Sequence, residues 1–138
     1  MKMTLEFRGL KELRRDLKAL PPMLKLDGGA RVVAAANQAA ADIRNQMPDH
    51  GTGNLKRGVG VRVQPAGSTH GARMQVRNNA PHAWLYENGT KPRKTRKGAY
   101  RGVMTAFHVF IPVMQERRRV LEAELRDVIK QAGLEVRG

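Results

Sequence analysis

The sequence predicts an α+β domain in which an antiparallel sheet of three to four strands packs against two or three helices. Two patterns lead to this prediction: short segments alternate apolar and polar residues, and longer segments repeat apolar residues at spacings of three and four. With 138 residues, the chain has the length of one domain with one core. We therefore expect a single domain over residues 1–138.

Helices are predicted in three segments. A leucine stripe over residues 10–20 indicates an amphipathic helix, and the proline pair that begins at Pro21 ends it. The alanine-rich segment 30–47 indicates a closely packed helix that follows a turn at residues 27–29. The apolar pattern over residues 112–133 indicates a long C-terminal helix, because proline suits the first helical turn.

Strands are predicted in four segments. Residues 3–7 alternate apolar and polar side chains, as do residues 59–63 and 74–76. The loop between the last two is polar and glycine-rich, which favours an antiparallel hairpin with one face toward the helices. Residues 107–111 return to apolar character and indicate a last strand.

The charge of the chain is strongly positive and is concentrated in one segment. The sequence has 26 basic and 12 acidic residues, a formal charge of +14, so we expect an acidic partner. Residues 89–102 contain no acidic residue and are too polar to pack, which predicts a flexible basic loop over about residues 89–106. Its cations are Lys91, Arg93, Lys94, Arg96, Lys97 and Arg101.

Two kinds of partner, DNA and an acidic protein, fit the charge of this basic loop. Its cations could bind DNA phosphates without sequence preference and with strong dependence on salt. Tyr100 is its one aromatic residue, so stacking on bases has little support. An acidic protein neighbour fits the same charge equally well. A second basic cluster, residues 117–119, is either a solvated helix face or a contact with a partner subunit or phosphate.

The sequence contains no pattern typical of a catalytic or metal site. It has no cysteine, and its histidines, His50, His70, His82 and His108, lack the spacing of metal ligands. Ser68 is the only serine and lies in a polar loop without the setting of a nucleophile. We therefore expect no enzyme activity, no cofactor and no bound metal.

Residues 80–90, with the sequence APHAWLYENGT, carry a resemblance to a known family. The segment resembles the tail-component family of lambda-like, long-tailed bacteriophages. Thr52, Gly53 and Leu55 are similar to the family's Thr-Gly-x-Leu signature, and residues 110–112 are similar to its entry into the last helix, although one residue shorter. The positions that match in the first segment are Ala80, Pro81, Ala83, Tyr86, Glu87, Gly89 and Thr90.

The resemblance implies a structural virion protein at the junction of head and tail. Family members act as tail-completion or neck proteins, so we expect a ring, of six copies by the symmetry of the tail. Its partners would be the tail tube or tail terminator and the head-connector proteins, with DNA in the channel as a further partner. No apolar run approaches the roughly 20 residues that span a bilayer, so we expect no membrane partner and assembly in the bacterial host cytoplasm.

Two interpretations of residues 80–90 stay open at this stage. Their aromatic residues either pack in the domain's own core at the end of a hairpin or form a contact between subunits. A rival function for the whole chain is that of a small, basic, non-specific DNA-binding protein. The interface candidates are Trp84, Leu85, Tyr86, Glu87, Gly89 and Thr90.

Overall fold

A computed structural model describes residues 3–5, 22–48, 51–64 and 73–133 of the chain. These residues confirm the α+β class, with an antiparallel hairpin and four helices. The predicted helix over residues 10–20 lies outside the described residues. In chain order the elements are β1 (Met3–Leu5), α1 (Pro22–Gln46), α2 (Asn54–Gly58), β2 (Val59–Gln64), β3 (Arg73–Asn78), α3 (Ala83–Asn88) and α4 (Phe110–Gln131).

The sheet is built around the hairpin of β2 and β3, which the alternating valines predicted. The two strands pair antiparallel with Val61 opposite Val76, and the three-residue β1 pairs with the other side of β3. The strand order among the described residues is therefore β1-β3-β2. Met74, Val76 and Asn78 alternate as buried residues along β3, so this face of the sheet lies against the core.

The core forms where α1 packs both against α4 and against this face of the sheet. Alanines line α1 at the contact, and small side chains let the two helix backbones approach closely. Of the residues spaced three and four apart along this segment, Ala36, Ala40, Ile43 and Met47 are buried, whereas Val33 is partly exposed. The buried core residues of the two helices, with Met47 directly after α1, are Ala36, Ala39, Ala40, Ile43, Met47, Phe110, Val113 and Met114.

Two predictions of local structure are wrong. Residues 27–29 form no turn, because α1 begins at Pro22 and continues through them. Proline fits a first helical position, and the packing of α1 against α4 and the sheet outweighs the cost of about 1 kcal/mol that each glycine adds. Residues 107–111 form no strand, because α4 already begins at Phe110.

An ion pair joins α1 to α4 at the edge of the core. The Nε atom of Arg117 donates to Oδ2 of Asp42 at 2.5 Å, and Gln38 donates to the other carboxylate oxygen at 3.0 Å. The hydrogen bond from Arg117 holds the pKa of Asp42 below its ordinary value, against the opposing effect of burial. The neighbouring Arg118 and Arg119 pair with Glu122 and Glu116 on α4 itself. All three arginines of this cluster therefore have partners within the chain.

We predict that Asp42→Asn lowers the free energy of unfolding by about 1 kcal/mol at neutral pH, because both side chains of the pair are only partly exposed. The folded-state pKa is depressed, so this stabilisation is present above the unfolded pKa and is lost as the pH falls through the folded pKa. Urea unfolding at pH 7 and pH 2 should show a difference between variant and wild type only at pH 7.

The matched control is Asp27→Asn, which removes a more exposed pair with Arg31 within α1. Its effect should be clearly smaller than that of Asp42→Asn. Equal losses from the two variants would contradict a special contribution of the link between the helices.

Candidate functional site: residues 80–90 and the basic hairpin

Asn78 fixes the position at which residues 80–90 leave the sheet. This side chain is fully buried, donates to the Leu55 carbonyl at 3.1 Å and accepts from the Ala80 N–H at 2.9 Å. A Cβ on Gly58 would collide with the Asn78 side chain and lie 2.7 Å from the Ala80 nitrogen. Asn78 thus connects the segment that contains Leu55 to the one that begins at Ala80.

Residues 80–90 fold into a short helix, not the end of a hairpin. The Ala83 N–H donates to the Ala80 carbonyl at 3.1 Å, and α3 then covers Ala83–Asn88. The next turn is closed by Tyr86, whose N–H donates to the His82 carbonyl at 3.0 Å. This turn directs Trp84 toward solvent and turns Tyr86 and Glu87 into the protein.

Glu87 is the central residue of the site. It is 1% exposed, and its carboxylate accepts hydrogen bonds from the N–H groups of Val109, Phe110 and Ile111 at 2.9, 2.8 and 2.9 Å. The first N–H groups of a helix have no partner within it and carry partial positive charge, so a carboxylate is well suited to this place. Val109 stands at the N-cap and has no side-chain oxygen to do the same.

Gly89 and Thr90 lie directly beside residues 104–106 of the same chain. Gly89 has φ +71°, and a Cβ there would lie 2.7 Å from the Met104 oxygen and 2.8 Å from the Ala106 nitrogen. The Thr90 N–H donates to the Met104 carbonyl at 2.8 Å, and the Met104 N–H donates to the Thr90 hydroxyl at 2.9 Å. Only glycine offers both the backbone conformation and the space for this close approach.

The segment that returns to α4 lies along the end of α3. Phe107 stacks on Tyr86 with ring centroids 4.4 Å apart, and its N–H donates to the Tyr86 carbonyl at 3.1 Å. The Tyr86 hydroxyl is buried without a hydrogen-bond partner, and burial raises its pKa. His108 then adopts φ +49°, which is unusual for a residue other than glycine.

The predicted basic loop forms a hydrogen-bonded hairpin, which we call the basic hairpin (residues 90–104). Arg93 and Arg101 pair through the Arg101 N–H and the Arg93 carbonyl at 2.7 Å, and Thr95 closes the tip with Ala99 at 2.7 Å. All six predicted cations are exposed, and none forms an ion pair with a described residue. Tyr100 and Val103 add exposed apolar surface beside them, at 65% and 56%.

The family model described as "Bacteriophage HK97-gp10, putative tail-component" matches residues 11–89, which is more than half of the chain. The chain belongs to this family of phage tail components. Membership implies a structural protein of the virion, in agreement with the predicted resemblance. No curated protein and no solved structure matched the chain.

The family match ends at Gly89, where the basic hairpin begins. The matched part therefore includes α3 and its Glu87 but not the exposed cations. The sequence pointed to Glu87 as an interface candidate, yet in the structure this residue caps α4. A sequence signal for that role does exist: residues 106–111, directly before Pro112, include no Ser, Thr, Asp or Asn that could cap the predicted helix locally.

The six interface candidates from the sequence divide into exposed and buried residues. Trp84 is 40% exposed and Leu85 is half-buried, so these two offer surface to a neighbour. Tyr86, Glu87 and Gly89 are buried within the chain, and half-buried Thr90 hydrogen-bonds to Met104. The structure adds Phe107, 49% exposed, to the apolar surface of the site.

The described residues contain no group of three or more His, Asp or Glu side chains that could hold a metal ion. In the same part of the chain, no helix combines the length and apolar character that crossing a bilayer requires. His82 and His108 are exposed, while His50 and His70 lie outside the described residues.

We predict that Glu87→Gln lowers the free energy of unfolding by about 3 kcal/mol, because an amide accepts more weakly and turns a donor toward buried N–H groups. Glu116→Gln, at an exposed position of α4, is the control and should leave stability nearly unchanged. Chemical unfolding followed by circular dichroism measures both. Equal stabilities of the two variants would show that Glu87 is not the anchor of α4.

We predict that Gly89→Ala destabilises the protein by about 2–3 kcal/mol, because it adds both a strained φ and a steric conflict. Gly98→Ala is the matched control, since Gly98 has φ +84° but nothing within 4 Å of an added Cβ. It should cost about 1 kcal/mol, the backbone contribution alone. Thermal unfolding of the two variants separates the contributions, and a larger loss at Gly98 would contradict the close approach at Gly89.

Proposed function

We propose that the chain is a tail-completion or neck component that joins the tail to the head connector as a ring. The observation that supports this proposal most directly is the family match over residues 11–89, which includes residues 80–89 of the segment that carries the resemblance. By the symmetry of the tail, the ring has six copies. It assembles in the cytoplasm of the bacterial host and is then part of the virion.

In this proposal, exposed aromatic surface forms the contact between subunits. Trp84 projects from α3, and Phe107 lies against the same helix through its stack on Tyr86. Aromatic side chains on a rigid support are effective interface anchors, because little conformational freedom is lost on binding. A ring requires two unlike surfaces that meet head to tail, so these exposed aromatic residues contact a different region of the next copy.

The basic hairpin faces an acidic partner in the assembled ring. Its six cations have no carboxylate partner among the described residues, so their charge is available to a neighbour. DNA in the channel and an acidic surface of the tail tube, tail terminator or head connector both fit this charge. The hydrogen bonds along the hairpin give the cations a defined spacing, which lowers the cost of ordering them on binding.

A small non-specific DNA-binding protein is the second candidate function. The observation that favours it is the same row of exposed cations, with Tyr100 as an exposed ring beside them. Binding of this kind falls with salt, with a logarithmic slope of about −0.9 for each phosphate contact. The expected lack of enzyme activity and of cofactors stays a prediction.

We predict that reversing the charge of Lys94, Arg96 and Lys97 to Glu prevents the protein from joining particles. The test supplies each variant to phage that lack the gene and measures tailed particles by negative-stain microscopy. Wild type should restore them and appear as a ring at the junction. Duplex DNA binding by the purified proteins, followed against salt, shows whether the hairpin also binds nucleic acid.

The control reverses three cations elsewhere, Arg31, Arg126 and Lys130, so that the net charge changes equally. If both triple variants fail alike, net charge and not the hairpin is responsible. Lost DNA affinity with intact particle assembly favours the second function. A wild-type protein that stays monomeric and never joins heads or tails contradicts the first.

A further inference from the structure

The outer edge of β2 has backbone groups that the sheet leaves unused. The Asn79 N–H donates to the Gly58 carbonyl at 2.9 Å, which sets the alternation of hydrogen bonds between β2 and β3. In an antiparallel ladder, alternate residues of a strand bond to the neighbour and those between them face away. Gly60, Arg62 and Gln64 therefore bond to β3, and the N–H and carbonyl groups of Val61 and Val63 face outward.

The contacts of Val59 independently support this assignment. Its N–H donates to the Lys56 carbonyl, and its carbonyl accepts from Nη2 of Arg44 at 2.7 Å, so neither group takes part in the ladder. Val61 and Val63 are two and four residues further along β2, so their backbone N–H and carbonyl groups face the same side as those of Val59. Among the described residues, no strand lies on that side of β2. Among the described residues, the edge is thus covered at Val59 and open at Val61 and Val63.

The side chains along this edge define what an added strand should contain. Val61 and Val63 lie on the face that packs against the helices, yet Val63 is 67% exposed. The opposite face carries Arg62 on β2 and Arg77 on β3, and neither forms an ion pair with a described carboxylate. A partner strand would therefore place apolar side chains beside the valines and acidic side chains beside Arg62.

We propose that β2 accepts an extended segment of a partner protein in which apolar and acidic residues alternate. The segment adds a strand to the sheet and bonds to the N–H and carbonyl groups of Val61 and Val63. A second copy of this chain fits less well, because the antiparallel register that pairs Val61 of one copy with Val63 of the other, and so uses both open residues, brings Arg62 opposite Arg62. The proposal rests on the proposed function, since the partner is taken to be another protein of the particle.

Amide hydrogen exchange on the free protein tests the open edge without any partner. The Val61 and Val63 amides should exchange at least about tenfold faster than those of Arg62 and Gln64, which donate to β3. Protection of Val61 and Val63 equal to that of Arg62 overturns the proposal. This outcome does not depend on whether the protein belongs to the head-to-tail junction.

Assembly in phage that lack the gene tests the partner. Val63→Pro removes an outward-facing N–H and leaves the hydrogen bonds between β2 and β3 in place, whereas Val63→Thr keeps that N–H. Val63→Pro should reduce the amount of protein bound to particles by about tenfold relative to Val63→Thr. Because proline could impair folding, a second pair tests charge: Arg62→Glu should lose binding and Arg62→Lys should keep it.

Each outcome of the assembly experiment bears on one of the two proposals. Particles that bind Val63→Pro and Arg62→Glu as well as wild type overturn the added strand and leave the proposed function intact. Loss of a self-associated state by Val63→Pro, with Arg62→Glu still binding, means that the occupant is a second copy and overturns the acidic partner. If the wild-type protein is absent from particles, both the proposed function and the proposed partner from the particle are overturned. The hydrogen-exchange result for the open edge of β2 is not affected by this outcome.

Discussion

A single buried carboxylate connects the parts of the molecule that the proposed function needs. Glu87 lies at the end of the short α3 and accepts from three consecutive N–H groups that start the 22-residue α4. A buried charge is costly unless it is well bonded, and here the unpaired donors of a helix terminus supply the bonds. The geometry of this contact determines where α4 begins, where Phe107 can stack and where both limbs of the basic hairpin leave the domain.

The distribution of charge divides the molecule into two kinds of surface. On α4, the three consecutive arginines pair with Asp42, Glu122 and Glu116. The basic hairpin has no such partners among the described residues, although it lies near the buried Glu87. Paired cations serve the fold, and unpaired cations are available to a partner. A formal charge of +14 therefore says less about function than the position of the cations without a carboxylate.

Periodicity predicted the helices and strands that have a regular pattern of apolar residues. It failed where a single residue far away in the sequence determines the local structure. The β2–β3 hairpin and most of α1 and α4 follow from alternating valines and from apolar stripes. Residues 107–111 look like a strand because of their apolar composition, but Glu87, more than 20 positions earlier, starts a helix there. The sequence did not predict the hydrogen bonds of the basic hairpin, for a related reason. They depend on the contact between Thr90 and Met104 and not on the composition of the segment between these two residues.

The attachment of the basic hairpin has a mechanical consequence. One limb leaves the fold at Gly89 and Thr90, directly after Glu87, and the other returns through Phe107 to the start of α4. A force applied to the hairpin therefore acts first on the hydrogen bonds between the Glu87 carboxylate and the N-terminus of α4. From there it passes along a helix about 33 Å long into the centre of the core. If the hairpin binds a neighbour as proposed, tension from that contact would thus reach the core and not be borne by a peripheral loop alone.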